Sequence, residues 1–443
     1  MKRFTVFFLL LPVFLAGCTK LEEMGIVKSD KKVLTKGKRE VVLFDDEVTL
    51  PKVSADAGNV TLPPMQEVSE WPQAQQNAMH SAPHIQANDK LEKIWQVKLG
   101  VKSNKNQRLL CEPVVAEGML FIYTPDSYVS AYGLEDGKLK WTIFVKPKQI
   151  QEAILGGGVA YDQGTLFVST PFAEIFAIDV KSGKGRWMAK VDAPLRASPV
   201  VNDGRVYVIS LNNELSVFDQ ASGKLLWTHQ GVSESAGVLT GSSPAVYRDV
   251  VLAPYTSGEF VALQAATGLP LWSENMASST RTDSFAGMPH ISAKPVVVDG
   301  VAYVVSQAGR TAAIDIRTGG VLWSKDFGGS QTPFVAGDSL FLLTGDNLVI
   351  CLNKNNGLVR WYKILPMWKD EVKNKGRIVW NGPLLAGGKL YMTSSDGAMF
   401  ALDPATGNKA MDYKLPGEVV VPMIAVGGML MIVTESGLLV AYR

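Results

Sequence analysis

The chain has 443 residues, of which 47% are apolar and 19% charged, a balance that fits a folded chain with a large core and excludes a disordered one. Forty-four Lys and Arg against 42 Asp and Glu leave a formal charge of +2, which argues against nucleic acid as a partner, since that calls for a concentrated basic surface. Four His in the whole chain leave little for acid–base chemistry, and no His-Glu-x-x-His, Gly-x-Ser-x-Gly, phosphate loop or Cys-x-x-Cys occurs.

Residues 1–17 read as a signal segment. Lys2-Arg3 is a basic start, and Phe4 to Ala16 is an apolar run too short to span a bilayer. It ends in Leu15-Ala16-Gly17-Cys18, which resembles the lipobox of bacterial lipoproteins. That resemblance implies cleavage before Cys18, a diacylglycerol thioether on its sulfur and an acylated amine, enough lipid for stable anchoring. Thr19 in place of Asp implies sorting to the outer membrane.

Residues 18–70 then read as a lipidated Cys followed by a flexible tether. Lys28 to Glu40 is Lys-rich, Asp45-Asp46-Glu47 is acidic, and Pro51, Pro63 and Pro64 punctuate the rest. From Trp71 to His84 a surface strap is expected. His80 and His84 have the spacing of a metal pair only on a helix, which Pro83 opposes, so no metal site is assigned. Lys93 to Val97 (KIWQV) is a single isolated strand.

From residue 113 a repeat governs the chain. Pro113, Pro199, Pro244, Pro295 and Pro333 each precede a Trp by 28 residues (Trp141, Trp227, Trp272, Trp323, Trp361). Val159 takes the Pro place before Trp187, and Met411 takes the Trp place after Pro383. In five of the units a Gly five residues after the Pro place (Gly118, Gly164, Gly204, Gly300, Gly388) suits a tight hairpin. A small residue stands ten before the Trp (Ala131, Ala177, Val217, Ala262, Ala313, Cys351, Ala401), where crowding selects for size. An Asp-x-x-Thr/Ser-Gly turn follows in most units, as at Asp179 to Gly183.

One unit is therefore four short antiparallel strands, a propeller blade. Seven units are complete, and an eighth begins at Pro422 but stops at Arg443 before its outer strand. The strand at 93–97 supplies what is missing. The expected fold is all-β, an eight-bladed β-propeller of four-stranded antiparallel blades spanning 71–443 and closed by an N-terminal strand, with no open sheet edge at the seam. Cys111 and Cys351 fall in blades 1 and 6, too far apart for a disulfide.

The unit resembles the tryptophan-containing repeat of the pyrroloquinoline quinone (PQQ) dehydrogenases. That resemblance carries a quinoprotein dehydrogenase or PQQ-binding sensor as the alternative function. Those enzymes place a vicinal Cys pair against the cofactor, whereas the three Cys here are all separated, so no cofactor is assigned. With the lipobox and tether, the chain resembles more closely the outer-membrane protein assembly factors, the lipoprotein propellers of the β-barrel assembly (BAM) machinery. What this implies is a non-enzymatic scaffold, lipid-anchored in the outer membrane and facing the periplasm. Its implied partners are the POTRA domains of BamA, other BAM subunits and unfolded outer-membrane proteins. A third reading is a propeller that binds periplasmic glycan or peptide.

The family's partner-binding loops map onto this chain in part. Leu239 and Thr240 lie in the loop before Pro244, where Leu239 matches and the family's Arg is absent. His290 and Ser292 occupy the places of two family Asp, with Arg281 and Asp283 nearby as substitutes. The connections from Trp272 to Pro295 and from Trp361 to Pro383 are the longest, at 23 and 22 residues, and long loops on a rigid ring are where binding residues concentrate. The second holds Trp368, outside the blade register and among Lys369, Lys373, Lys375 and Arg377.

Overall fold

A computed structural model of the chain describes residues 50–100, 111–148, 155–233, 241–277 and 290–443. The repeat forms the expected blades. Eight four-stranded antiparallel sheets follow one another, seven of them continuous in sequence: 114–144, 158–190, 200–230, 245–275, 296–325, 334–364 and 380–414, which are blades 1 to 7. Blade 8 combines Ile424–Val426, Met429–Val433 and Leu438–Tyr442 with the N-terminal strand Lys93–Lys98, paired antiparallel to Leu438–Tyr442. The inner three strands of each blade are almost wholly buried, whereas outer strands such as Leu225–Gln230 and Pro270–Asn275 alternate exposed and half-buried residues.

The repeated residues explain one another. Each small residue sits opposite its blade's Trp across the strand pair, as in Ala131↔Trp141, Val217↔Trp227 and Cys351↔Trp361. A bulge follows at once and starts the turn. Asp219 Oδ1 accepts from the Ser222 amide at 2.8 Å and from its hydroxyl at 2.6 Å, fixing that turn. At Asp179 the Arg186 guanidinium, and after it the Ser182 hydroxyl, hold the carboxyl well below the usual carboxylate range.

The Trp then reaches the next blade. Trp141 Nε1 donates to the Val180 carbonyl at 2.7 Å, Trp227 Nε1 to Ala265 at 3.1 Å and Trp272 Nε1 to Ile316 at 2.7 Å, each in the turn of the following blade. The indole lies on that turn's glycine. A Cβ on Gly268 would sit 2.5 Å from Trp227, and one on Gly407 2.6 Å from Trp361. These glycines are fixed twice, by a positive φ (75° at Gly268) and by the ring against them.

The exception follows from the same rule. The place after blade 7 belongs to blade 8, whose outer strand comes from the other end of the chain and has no such turn before it. Met411 stands there instead of Trp. The closing strand does face a turn, in blade 1, and carries Trp95, whose Nε1 donates to Leu134 at 3.1 Å while its ring lies against Gly137.

Residues 50–92 depart from expectation. The tether anticipated through residue 70 gives way by residue 50 to a segment packed on the propeller, within one compact unit spanning 50–443. Val53 bridges Val359 of blade 6, and Arg360 Nε donates to Ala57. The Val68 carbonyl takes the Gly427 amide of blade 8, and Trp71 exchanges two backbone hydrogen bonds with Val115 of blade 1. The Pro72 carbonyl takes Tyr161 of blade 2, Gln73 pairs by its side chain with Val201 of blade 3, Ala78 takes Val246 of blade 4 and Met79 takes Val297 of blade 5. Ile85 then bonds blade 7 and Glu92 bonds Arg443, before the closing strand. The segment thus touches all eight blades. Its middle is buried and not a surface strap: Trp71 is 1% and Ile85 0% exposed.

Gly268→Ala is expected to cost about 2–4 kcal/mol, combining left-handed strain with overpacking against Trp227. Gly204→Ala, at φ 72° with nothing within 4 Å of its Cβ, should cost only the strain, about 1–2 kcal/mol. Denaturant unfolding of both variants checks this; equal losses would refute the indole contact as the reason for glycine.

Candidate functional site

The ring has two unlike ends. At one end lie the short hairpins that follow each inner strand, and residues 50–92 cover it. At the other end the chain passes from the outer strand of one blade to the inner strand of the next, and here the central channel opens into a cavity of about 140 Å³. All eight blades line it, because the residues just before each inner strand converge on the axis. Below it, a space of about 10 Å³ lined by Gln75 shares Gln331, Thr332 and Pro422 with the upper cavity. That is room for about one water. The channel narrows like a funnel toward the N-terminal segment, whose Gln75 lines the lower space.

The funnel is crossed by an ion pair. Glu112 stands directly before the first strand of blade 1 and Lys294 before that of blade 5, on opposite sides of an eight-membered ring. Lys294 Nζ lies 2.5 Å from Glu112 Oε1, and the side chains are 16% and 6% exposed. Glu112 Oε2 is buried with no hydrogen-bond partner. Arg196, from the approach to blade 3, and Asn381 of blade 7 also line the funnel. Burial pulls the Arg196 guanidinium below its usual range.

His80 supports this region from beneath. Its Nδ1 donates to the Pro295 carbonyl at 2.9 Å, its Nε2 is buried without a partner, and it is 2% exposed. Burial first, and the charge of Lys294 second, push it down to about 3, against a small upward effect of the Pro295 hydrogen bond. His84 accepts the Gly388 amide through Nε2 and bonds the Pro63 carbonyl through Nδ1, so both imidazoles pin backbone.

On the same end stands the only sheet outside the blades among the described residues, a hairpin of Trp368–Asp370 and Lys375–Arg377. Its base is tied down. The Ile378 amide donates to Met367, Trp380 Nε1 donates to Pro366 at 2.9 Å, and Asn347 Nδ2 reaches both Pro366 and Ile378 at 3.1 Å. Lys369 pairs with Glu418 at 3.1 Å in the next connection. The tip exposes Val372 at 95%, flanked by Glu371 and Lys373. Trp368 itself is half-buried at the root of this hairpin.

Of the other residues singled out from sequence, His290 is buried at 4% exposure, its carbonyl accepting the Gln307 amide, so its ring offers almost no surface to a partner. Cys18, Leu239, Thr240, Arg281 and Asp283 lie outside the described residues. Cys111 and Cys351 are buried free thiols, both pushed up to about 12 by burial.

With this geometry established, comparison with known proteins is decisive. A family described as "Outer membrane protein assembly factor BamB" matches residues 148–363 and 366–443. The chain belongs to the BamB family. Among its relatives, the outer membrane protein assembly factor BamB of Moranella endobia is 22% identical over 309 residues, 67% of this chain and 79% of that protein. Among solved structures, BamB from Moraxella catarrhalis aligns with a TM-score of 0.67 at 19% identity, over 80% of this chain and 100% of the other. A europium-containing methanol dehydrogenase aligns at 0.64 and 14% identity, over 83% and 89%. At such identities these two show a shared fold alone.

For a BamB family member, the funnel charges were the residues missed from sequence. The signal was present in the repeat register. The place directly before the Pro reads Glu112, Gly158, Ser198, Ser243, Lys294, Thr332, Gly382 and Val421 around the ring. Two charges among small or neutral residues at a position that points to the axis mark the funnel.

His80 carries a pH test. Its folded pKa lies below the unfolded value of about 6.5, so the unfolded chain binds the extra proton and stability falls as pH drops from about 6.5 toward 3. His80→Asn keeps a donor near Nδ1 and tolerates the φ of 54° there. The variant should lose less stability than the parent between pH 6.5 and 4.5 in denaturant titrations. Identical pH dependence would show that His80 is not the buried neutral group described.

Proposed function

We propose that this protein is a non-enzymatic scaffold of the outer-membrane β-barrel assembly machinery. In this reading it binds the POTRA domains of BamA and other BAM subunits, and helps unfolded outer-membrane proteins reach them. It faces the periplasm, held to the outer membrane by acyl chains on Cys18. The observation that carries the proposal is the BamB family match across blades 2 to 8. The ring adds physical support. One end is covered by the chain's own N-terminal segment, and the other carries the long connections and a firmly based hairpin.

The hairpin is the contact we assign first. A partner docking there would bury Val372 and meet a segment whose Lys369, Lys373, Lys375 and Arg377 outnumber Asp370 and Glu371. Trp368 at its root is half-buried and keeps part of its ring for a partner. Leu239, Thr240, Arg281 and Asp283 remain assigned to the same partner through the family's loops. His290 belongs to the support of that region and not to its surface. Rigid presentation of side chains in this way costs little ordering entropy on binding.

The test is titration of the soluble protein from Thr19 onward against the POTRA domains of its own BamA, with PQQ and Ca²⁺ in parallel. Saturable POTRA binding is expected, weakened about tenfold or more by Val372→Asp and by Leu239→Asp, as for hot-spot residues. Binding unchanged in both variants would move the interface elsewhere on the ring. Quinone binding with dye-linked alcohol oxidation and no POTRA contact would replace the scaffold reading with an enzyme.

Anchoring is tested separately. Cys18→Ala should shift the protein from the membrane fraction to the soluble fraction; unchanged membrane association would remove the lipid anchor.

A further inference from the structure

The outer strands are the free edges of the blades, and natural sheets guard such edges with charged side chains or Pro. Blades 1, 2, 6, 7 and 8 follow this rule. Each of their outer strands exposes a Lys, at Lys140, Lys190, Lys363, Lys409 and Lys93. Blades 3, 4 and 5 do not. Every exposed position of Leu225–Gln230, Pro270–Asn275 and Val321–Lys325 is uncharged, and the place before the Trp is an exposed Leu226, Leu271 or Leu322. Each of these strands is the last of its sheet, with no partner on its far side among the described residues. Pro270 removes one donor from the edge of blade 4. Blades 3 and 5 therefore hold the open backbone, and blade 4 adds apolar surface between them. Exposed apolar surface of this kind marks an interaction site.

The molecule itself shows what fits such an edge. In blade 6 the N-terminal segment lies along the outer strand: the Ser54 amide donates to the Val359 carbonyl at 2.9 Å, and Val53 bridges Val359 in the parallel sense. Val359 stands two places before its Trp and is 5% exposed, whereas Leu225 and Val321, at the same place in blades 3 and 5, are 49% and 39% exposed. The uncovered arc runs directly into this covered edge. Trp323 of blade 5 donates to the Lys354 carbonyl at 2.7 Å, and its ring lies on Gly357, two residues before Val359. The three leucines stand near the turns that start their strands, at the opposite end of the ring from the funnel, the hairpin and the long connections.

We propose that the outer strands of blades 3 and 5, with blade 4 between them, form a docking edge for an extended polypeptide strand that carries apolar side chains at every second position. The backbone of the partner pairs with the free N–H and C=O groups of the edge, and its apolar side chains cover Leu226 and Leu322. The strands of outer-membrane barrels have this alternation. The inference thus deepens the client-binding part of the proposed function and rests on it for the identity of the strand. The POTRA contact is assigned to the hairpin at the other end and does not depend on this edge.

The experiment is fluorescence anisotropy with the protein from Thr19 onward, which retains the whole compact unit 50–443. The probe is a labelled peptide of about ten residues that alternates Val and Thr, the length of a barrel strand, with terminal Lys for solubility. Its control is the same peptide N-methylated throughout, which keeps the side chains and removes every backbone donor. Saturable binding of the plain peptide is expected, with the methylated one at least about tenfold weaker. Leu226→Lys combined with Leu322→Lys places there the charge that blade 1 carries at Lys140, and should weaken binding by about tenfold or more. Leu226→Met combined with Leu322→Met should retain it, with thermal midpoints confirming that both variants fold. No saturable binding, equal binding of the two peptides, or binding indifferent to the Lys substitutions would overturn the inference. So would a concentration-dependent dimer in sedimentation that the Lys substitutions abolish, since it would assign the edge to a second copy of the chain. POTRA titration of the same variants reads the scaffold assignment separately: POTRA binding without peptide binding removes this inference alone.

Discussion

The contact between an indole and the glycine of the next blade's turn holds this ring together. A propeller blade has two faces to bury and only its neighbours to bury them against. The Trp does this with a flat surface that demands a flat partner, and glycine alone provides one at that distance. The indole N–H then donates to a carbonyl beside the same glycine, so each joint is packed and hydrogen-bonded at once. The small residue across from each Trp belongs to the same arrangement, since it leaves room for the ring to lie over its strand. Where the receiving turn is missing, after blade 7, the Trp is missing too.

Much of this was legible in the sequence because the joint is local and repeated. The spacing from Pro to Trp and the Asp-to-Gly turn gave blade number, strand order and the closing strand. The glycine before the Trp could be read as a turn residue, but its second constraint could not, since the indole that presses on it belongs to another unit. The segment at 50–70 was less legible for a related reason. Most of its hydrogen bonds to the blades are made by its own backbone, many to groups hundreds of residues away, and backbone contacts leave no side-chain pattern. The Pro and charge content of that stretch pointed to solvent, while Ala57 and Val68, two small apolar residues, carry its burial.

The end that carries the hairpin shows the same division. Trp368 stood out because it breaks the repeat, and it does mark an inserted hairpin. Its role at the root and the exposure of Val372 at the tip depend on which way a two-stranded turn faces, which composition does not encode. His290 drew notice through the place it occupies in the family, yet burial decides what its side chain can meet. Glu112 and Lys294 went unread because each looks ordinary within its own blade. Only the closure of eight blades sets them face to face across an axis.

The N-terminal segment is synthesised before any blade exists, but every blade group it bonds to comes later. Ala57 waits for Asn353 and Arg360, and Asp89 for Lys389, 300 residues on. The closing strand waits longer still, for the last five residues before Arg443. Folding must therefore be strongly non-local, with a high contact order and a correspondingly slow final step. Until that step the segment and the open edge of blade 8 are both unpaired strands in a chain already made. That interval is when binding by a holding chaperone would matter most.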